Sequence, residues 1–308
     1  MRTARLTCAI AFILLLSLGS VAAAQQPALR LAYTDWSSSI ASAYVVQGVI
    51  QEKLHRSCEL VRLDVEEMWQ ALAEGRVDAM LSAWLPVTHA DYWQTYSEQL
   101  VDLGPNLSGA RIGLVVPDVS VGRQTGPLGE RARPYIKAKS IEDLPKYAKE
   151  FRHRIIGIEP GAGIMARTRE AMKAYGLEDF RLIDGSEVSM TAELSNAIRH
   201  QQWIVVTGWT PHWMFARWKL KFLEDPKNIF GGSESIHTLV RKGYAEDHPE
   251  IYALLDNFFW TPDQMGQFLV WNEFDHGMFP YEKALRWIDN NPQQVLGWLG
   301  DIGDTKGD

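Results

Sequence analysis

One series of strand and helix patterns runs along this chain and then starts again in the same order. The first series reads "LRLAYT", a helical stretch from Ile40 to Leu54, "LVRLDV", a helix around Met68 to Glu74, "DAMLSAWLP", a helix from Val87, and "ARIGLVVP". The second reads "RIIGIEP", a helix from Ile164 to Tyr175, "FRLID", a helix from Met190 to His200, "WIVVTGWTP", a short helix, "LKFLEDP" and "SIHTLVRKG". In order, "RLAYTDW" matches "IIGIEPG", "AMLSAWLP" matches "IVVTGWTP", and "GLVVP" matches "HTLVRKG". A repeat this long exceeds any solenoid unit, so it predicts two similar α/β lobes, each a mostly parallel sheet flanked by helices. From about Glu246 the pattern is helical, with Trp260, Trp271, Trp287 and Trp298 placed to pack against a lobe. Arg123 to Lys137, rich in Gly, Pro and charge, reads as a loop or insertion near the passage between lobes. The expected division is 1–24 as a removable segment, 26–117 as the first lobe, completed by 235–308, and 118–234 as the second.

The removable segment has the layout of a secretory signal: Arg2 and Arg5, an apolar run from Ala9 to Leu18, then Ala22, Ala23 and Ala24. Cleavage near Ala24 would release an exported, periplasmic protein. The run is shorter than the ~20 apolar residues of a spanning helix, and Cys8 precedes it, where a lipid anchor's cysteine would follow. Cys58 then has no cysteine partner and reads as a small core residue. With 31 basic against 38 acidic residues the chain is mildly acidic, which argues against nucleic acid. No histidines stand at i, i+4 and none has a cysteine neighbour, so no zinc site is expected. The G-x-S-x-G, Walker and H-E-x-x-H patterns are missing, which points away from an enzyme.

In parallel sheets ligands bind at the carboxyl ends of the strands. Pro86 and Pro211 end two matched strands there and leave Trp84 and Trp209 at the mouth, while "YTDWSS" puts Trp36 at the end of the first strand. Three converging indoles suit a quaternary ammonium, which offers no proton to share but is attracted to electron-rich ring faces. At ~2 kcal/mol per desolvated contact, three rings give ~6 of the ~8 kcal/mol of a micromolar complex, so a second anchor is needed. "EPGAGIM" supplies one: it opens a helix whose free N–H groups at Gly163 and Ile164 suit a carboxylate. His89, also at a helix start, would donate a further hydrogen bond. Of twelve tryptophans most must be packing, and Trp69, Trp93, Trp203, Trp213 and Trp218 are read so.

Together "LAYTDWSSSIAS", "LSAWLPVTHADYW", "ARIGLVVP", "IIGIEPGAGIM", "VVTGWTPHWMFARW", "LKFLEDPK" and "IHTLVRKG" resemble the substrate-binding proteins of glycine betaine and proline betaine ABC importers. That family occurs in two circularly permuted orders, and this chain resembles the one with the "AWLP" lobe first. The resemblance implies the two-lobed periplasmic binding protein fold of type II, with ligand in the interlobe cleft. It carries the ammonium cage to Trp36, Trp84 and Trp209, and the carboxylate ligands to His89 and the amides of Gly163 and Ile164. It also implies a monomeric, nonenzymatic receptor without cofactor that hands its ligand to a membrane permease for osmoprotectant uptake. Ser37, Ser38 and Ser39 replace acidic residues that relatives often show, which bears on the betaine preferred. Choline or carnitine in the same fold is the alternative.

A rival of another class is a dinucleotide-dependent oxidoreductase. "GAGIMA", Gly161 to Ala166, fits G-x-G-x-x-A after a strand, and Asp184 stands where a ribose-binding acid would. Against it, Pro160 precedes the first glycine, an exported protein meets little nicotinamide cofactor, and the three tryptophans are left unexplained.

Overall fold

The computed structural model describes residues 29–119 and 134–300. The signal-like segment, Cys8 and most of the loop expected over Arg123 to Lys137 lie outside these residues.

The first half of the chain folds into β1 (Leu29–Tyr33), α1 (Ser37–Glu52), β2 (Cys58–Arg62), α2 (Val65–Ala73), β3 (Ala79–Leu85), α3 (Ala90–Tyr96) and the long β4 (Leu100–Pro117). The second half begins with β5 (Arg154–Ile156), α4 (Gly163–Ala174), β6 (Arg181–Ile183), α5 (Glu187–Arg199), β7 (Val206–Thr210), α6 (Met214–Arg217), β8 (Leu220–Phe222) and β9 (Glu234–Arg241). Helices α7 (Tyr244–Asp247), α8 (Pro249–Asn257), α9 (Pro262–Glu273), α10 (Pro280–Asn290) and α11 (Pro292–Leu299) follow.

The strands join in the order β2-β1-β3-β9-β4-β7-β5-β6, with β8 added to β4. The path is the expected repeat seen end on. In lobe 1, β2, β1 and β3 are parallel, β9 runs antiparallel to β3, and β4 runs antiparallel to β9. In lobe 2, β6, β5 and β7 are parallel, β4 runs antiparallel to β7, and β8 runs antiparallel to β4. β4 therefore serves twice: its residues up to Ala110 pair with β9 and those from Arg111 pair with β7. The change of partner falls inside this strand, earlier than the division after residue 117 drawn from the sequence.

Sequence explains the elements locally. All seven residues of β3 are buried, as a strand covered on both faces requires. Asp64 caps α2 by accepting the Glu67 N–H at 2.9 Å, and Thr261, Pro262 and Gln264 form a capping box at α9. Small residues let α1 lie close against α10; a Cβ on Gly48 would come within 2.8 Å of Ile288 Cδ1. Trp260, Trp287 and Trp298 pack among themselves, Trp287 and Trp298 stacked at 5.5 Å, in the C-terminal helical layer. Buried Asp78 receives both Arg30 and Arg241, tying β1 to the end of β9. Cys58 is a buried free thiol, pushed up to about 12 by burial. No helix among the described residues is long and apolar enough to cross a membrane.

Candidate ligand-binding site

The two Trp-x-Pro segments occupy equivalent places, Trp84 near the end of β3 and Trp209 near the end of β7, and both following X-Pro bonds are cis. Trp36 is the residue before α1 and has extended backbone, so its ring swings back across the strand ends. The six residues expected to bind ligand, Trp36, Trp84, His89, Gly163, Ile164 and Trp209, all line one small cavity at the interlobe cleft. Thr88, Ile112, Ile158 and Ala162 complete the lining. No charged side chain is among these residues, and three of them are indoles.

His89 owes its place to a turn. The expected helix from Val87 starts at Ala90 instead, because residues 87–89 curl back until the His89 N–H donates to the Trp84 carbonyl at 2.9 Å. The imidazole Nδ1 then accepts the Trp84 N–H at 3.0 Å. With Nδ1 an acceptor, the ring proton must sit on Nε2. That nitrogen is buried and has no partner among the described residues, although buried donors are nearly always satisfied. Burial holds the ring down at about 3, so it is neutral near pH 7. Trp36 stacks on it with ring centres 5.8 Å apart, and Trp69 and Tyr92 meet it edge to face.

Across the cleft α4 begins after Ala162, which offers no side-chain cap. The Gly163 and Ile164 N–H groups thus have no intrahelical acceptor and carry the positive end of the helix dipole. Gly163 is needed for the approach of the lobes: a Cβ there would fall 2.0 Å from the Thr88 carbonyl oxygen. Thr88 is itself held by Glu234 of β9, whose carboxylate accepts its N–H at 3.0 Å.

Further contacts close the two lobes on each other. The Trp36 indole donates to Glu159 at 2.5 Å, Tyr92 donates to the Gly161 carbonyl at 2.9 Å, and Ser37 N–H donates to Glu187 at 2.9 Å. Burial pushes the Glu159 carboxyl up. Neither glutamate was singled out from sequence; Glu159 stands inside the quoted "EPGAGIM", but nothing local shows that it meets Trp36.

The turn that carries the dinucleotide-like fingerprint packs against lobe 1, with Gly161 and Gly163 lying against Tyr92 and Thr88. Asp184 is exposed and faces Arg169 at 3.9 Å instead of the cleft.

Two similar α/β lobes shut over a small, aromatic cavity lined by no charged side chain define the class of two-lobed solute-binding proteins. Residues 27–290 match the OpuAC family, the substrate binding domain of ABC-type glycine betaine transport systems, and the chain belongs to that family. A similar relative is the glycine betaine/carnitine transport binding protein GbuC of Listeria monocytogenes serotype 1/2a (strain 10403S), 43% identical over 182 residues. The matched segment spans 58% of this chain and 58% of that relative. Among solved structures, lactococcal OpuAC, closed and complexed with glycine betaine, has a TM-score of 0.79 at 38% identity and covers 88% of this chain and 99% of its own. The glycine betaine/L-proline-binding protein ProX of Borrelia burgdorferi has a TM-score of 0.81 at 33% identity over 90% of this chain and 98% of its own.

Proposed function

We propose that this protein is an exported receptor that captures glycine betaine or a related betaine and delivers it to the permease of an ABC importer. Trp36, Trp84 and Trp209 surround the quaternary ammonium, while His89 Nε2 and the N–H groups of Gly163 and Ile164 hold the carboxylate. The observation that carries this reading is the unpaired, neutral His89 Nε2–H beside a cavity walled by three indoles and lined by no charged side chain. A zwitterion satisfies both ends of such a site; choline would leave the buried donors without an acceptor, at a cost of ~1–3 kcal/mol each. The family membership supports transport in place of catalysis. Cleavage near Ala24, a periplasmic location and a monomeric state complete the proposal.

Calorimetric titration of the purified protein with glycine betaine, proline betaine, carnitine and choline tests it. The betaines should bind at micromolar or lower Kd and choline more weakly. Tighter binding of choline than of every betaine would overturn the assignment of the anion subsite.

A further inference from the structure

We infer that Glu187 is the positioning residue that holds the lobes shut, by gripping the first N–H of α1 across the cleft. This inference rests on the reading of the cavity as the ligand site, because its consequence is how long a ligand stays enclosed.

Glu187 is the first residue of α5 in lobe 2, and its side chain is almost wholly buried. One carboxylate oxygen accepts the Ser37 N–H at 2.9 Å; the other lies 3.1 Å from His212 Nε2 and 3.3 Å from the Trp213 indole nitrogen. His212 Nδ1 accepts the Met214 N–H at 3.0 Å, so its proton is on Nε2, which lies close to the carboxylate without making a hydrogen bond of good geometry to it. Within lobe 2 the carboxylate accepts from the Trp213 indole at 3.3 Å and has His212 beside it. Its remaining lone pairs then point at lobe 1, where Ser37 is the first helical residue after Trp36 and its N–H has no acceptor within α1. A single buried negative charge thus sits at the positive ends of α1 and α5, one from each lobe. The same two-residue segment carries the cage indole of Trp36, which Glu159 takes at 2.5 Å. Closure therefore fixes the cage wall through its neighbour, and opening would strip a buried carboxylate of a charge-assisted bond. Glu187 touches none of the cavity, which separates its action from ligand contact.

The backbone donor can be deleted without ending the helix. Proline is favoured at the first helical position, and Trp36 already has the extended backbone, φ −90° and ψ 136°, required before proline. Ser37→Pro removes the N–H; Ser37→Ala keeps it. Stopped-flow tryptophan fluorescence with glycine betaine should show Glu187→Gln and Ser37→Pro each speeding release about tenfold or more, with the association rate within about twofold of the parent. The double variant should release no faster than the quicker single one, since both remove one bond. Ser37→Ala, which removes only the hydroxyl beside the same carboxylate, should release far more slowly than Ser37→Pro. Independent losses in the double variant, an unchanged release rate in Glu187→Gln, or a fast Ser37→Ala would overturn the inference. Nitroxide labels at exposed Glu66 and Glu178 report the interlobe distance without relying on ligand. Should glycine betaine fail to bind the parent protein, the site reading falls, and the inference is judged on whether Glu187→Gln and Ser37→Pro shift ligand-free protein toward the longer distance; no shift would overturn it too.

Discussion

His89 uses its two ring nitrogens differently, one fixed by the Trp84 backbone and one left for a guest. His89→Ala should therefore weaken glycine betaine markedly and choline much less, a split readable by calorimetry; equal losses would mean that the ring only props up Trp36. Burial lowers this histidine from 6.5 to about 3, so the unfolded chain takes up a proton that the folded chain refuses in that interval. Its contribution to stability is complete above pH 6.5 and is lost as pH falls toward 3, by up to roughly 1.4 kcal/mol per pH unit. Urea melts of the parent and His89→Gln between pH 4 and 7 should show the flatter profile in the variant. Trp84→Ala should cost at least ~1 kcal/mol of betaine affinity if its face meets the cation. These side chains were legible because each stands in a motif. Glu159 and Glu187 were not, since their partners lie 123 and 150 residues away and no local spacing marks such a meeting.

Among the elements, the helices and parallel strands followed their hydrophobic periods closely, whereas β4 did not. The pattern of "ARIGLVVP" predicts a strand, but the preceding "LVDLGPNLSGA" carries Gly104, Pro105 and Gly109, which signal a loop. It pairs with β9 nonetheless, taking up those residues as irregularities in register, with Gly104 and Gly109 at φ +92° and +86°. Tertiary pairing outweighed local preference there. α1 starts at Ser37, three residues before the apolar period suggested, because its polar first turn is used for contacts: Ser39 Oγ accepts the Thr34 N–H at 3.1 Å. At the start of α4, Gly163→Ala would drive a methyl group into the Thr88 carbonyl. That variant should fold normally, since alanine suits a helix, yet lose at least about tenfold in betaine affinity and give an open profile by small-angle scattering with ligand present. A closed profile with parent affinity would show that Thr88 can retreat.

At the scale of the molecule, ligand between two lobes should stabilise both together. Saturation with glycine betaine at a thousand times Kd adds about 4 kcal/mol and should raise Tm by several degrees in one cooperative step. A rise confined to one of two separated transitions would mean that the guest belongs to a single lobe. We place the division of the chain within β4, between Ala110 and Arg111, where its partner changes from β9 to β7, and again before Glu234, where β9 returns to lobe 1.

The sharing of β4 also sets an order of assembly during synthesis. The strands of lobe 2 come from one continuous stretch of the sequence and are complete once Phe222 has emerged. The sheet of lobe 1 must wait for Arg241, because β9 inserts between β3 and β4. A nascent chain halted between those points would display two facing, unpaired strand edges, the kind of surface that recruits other chains.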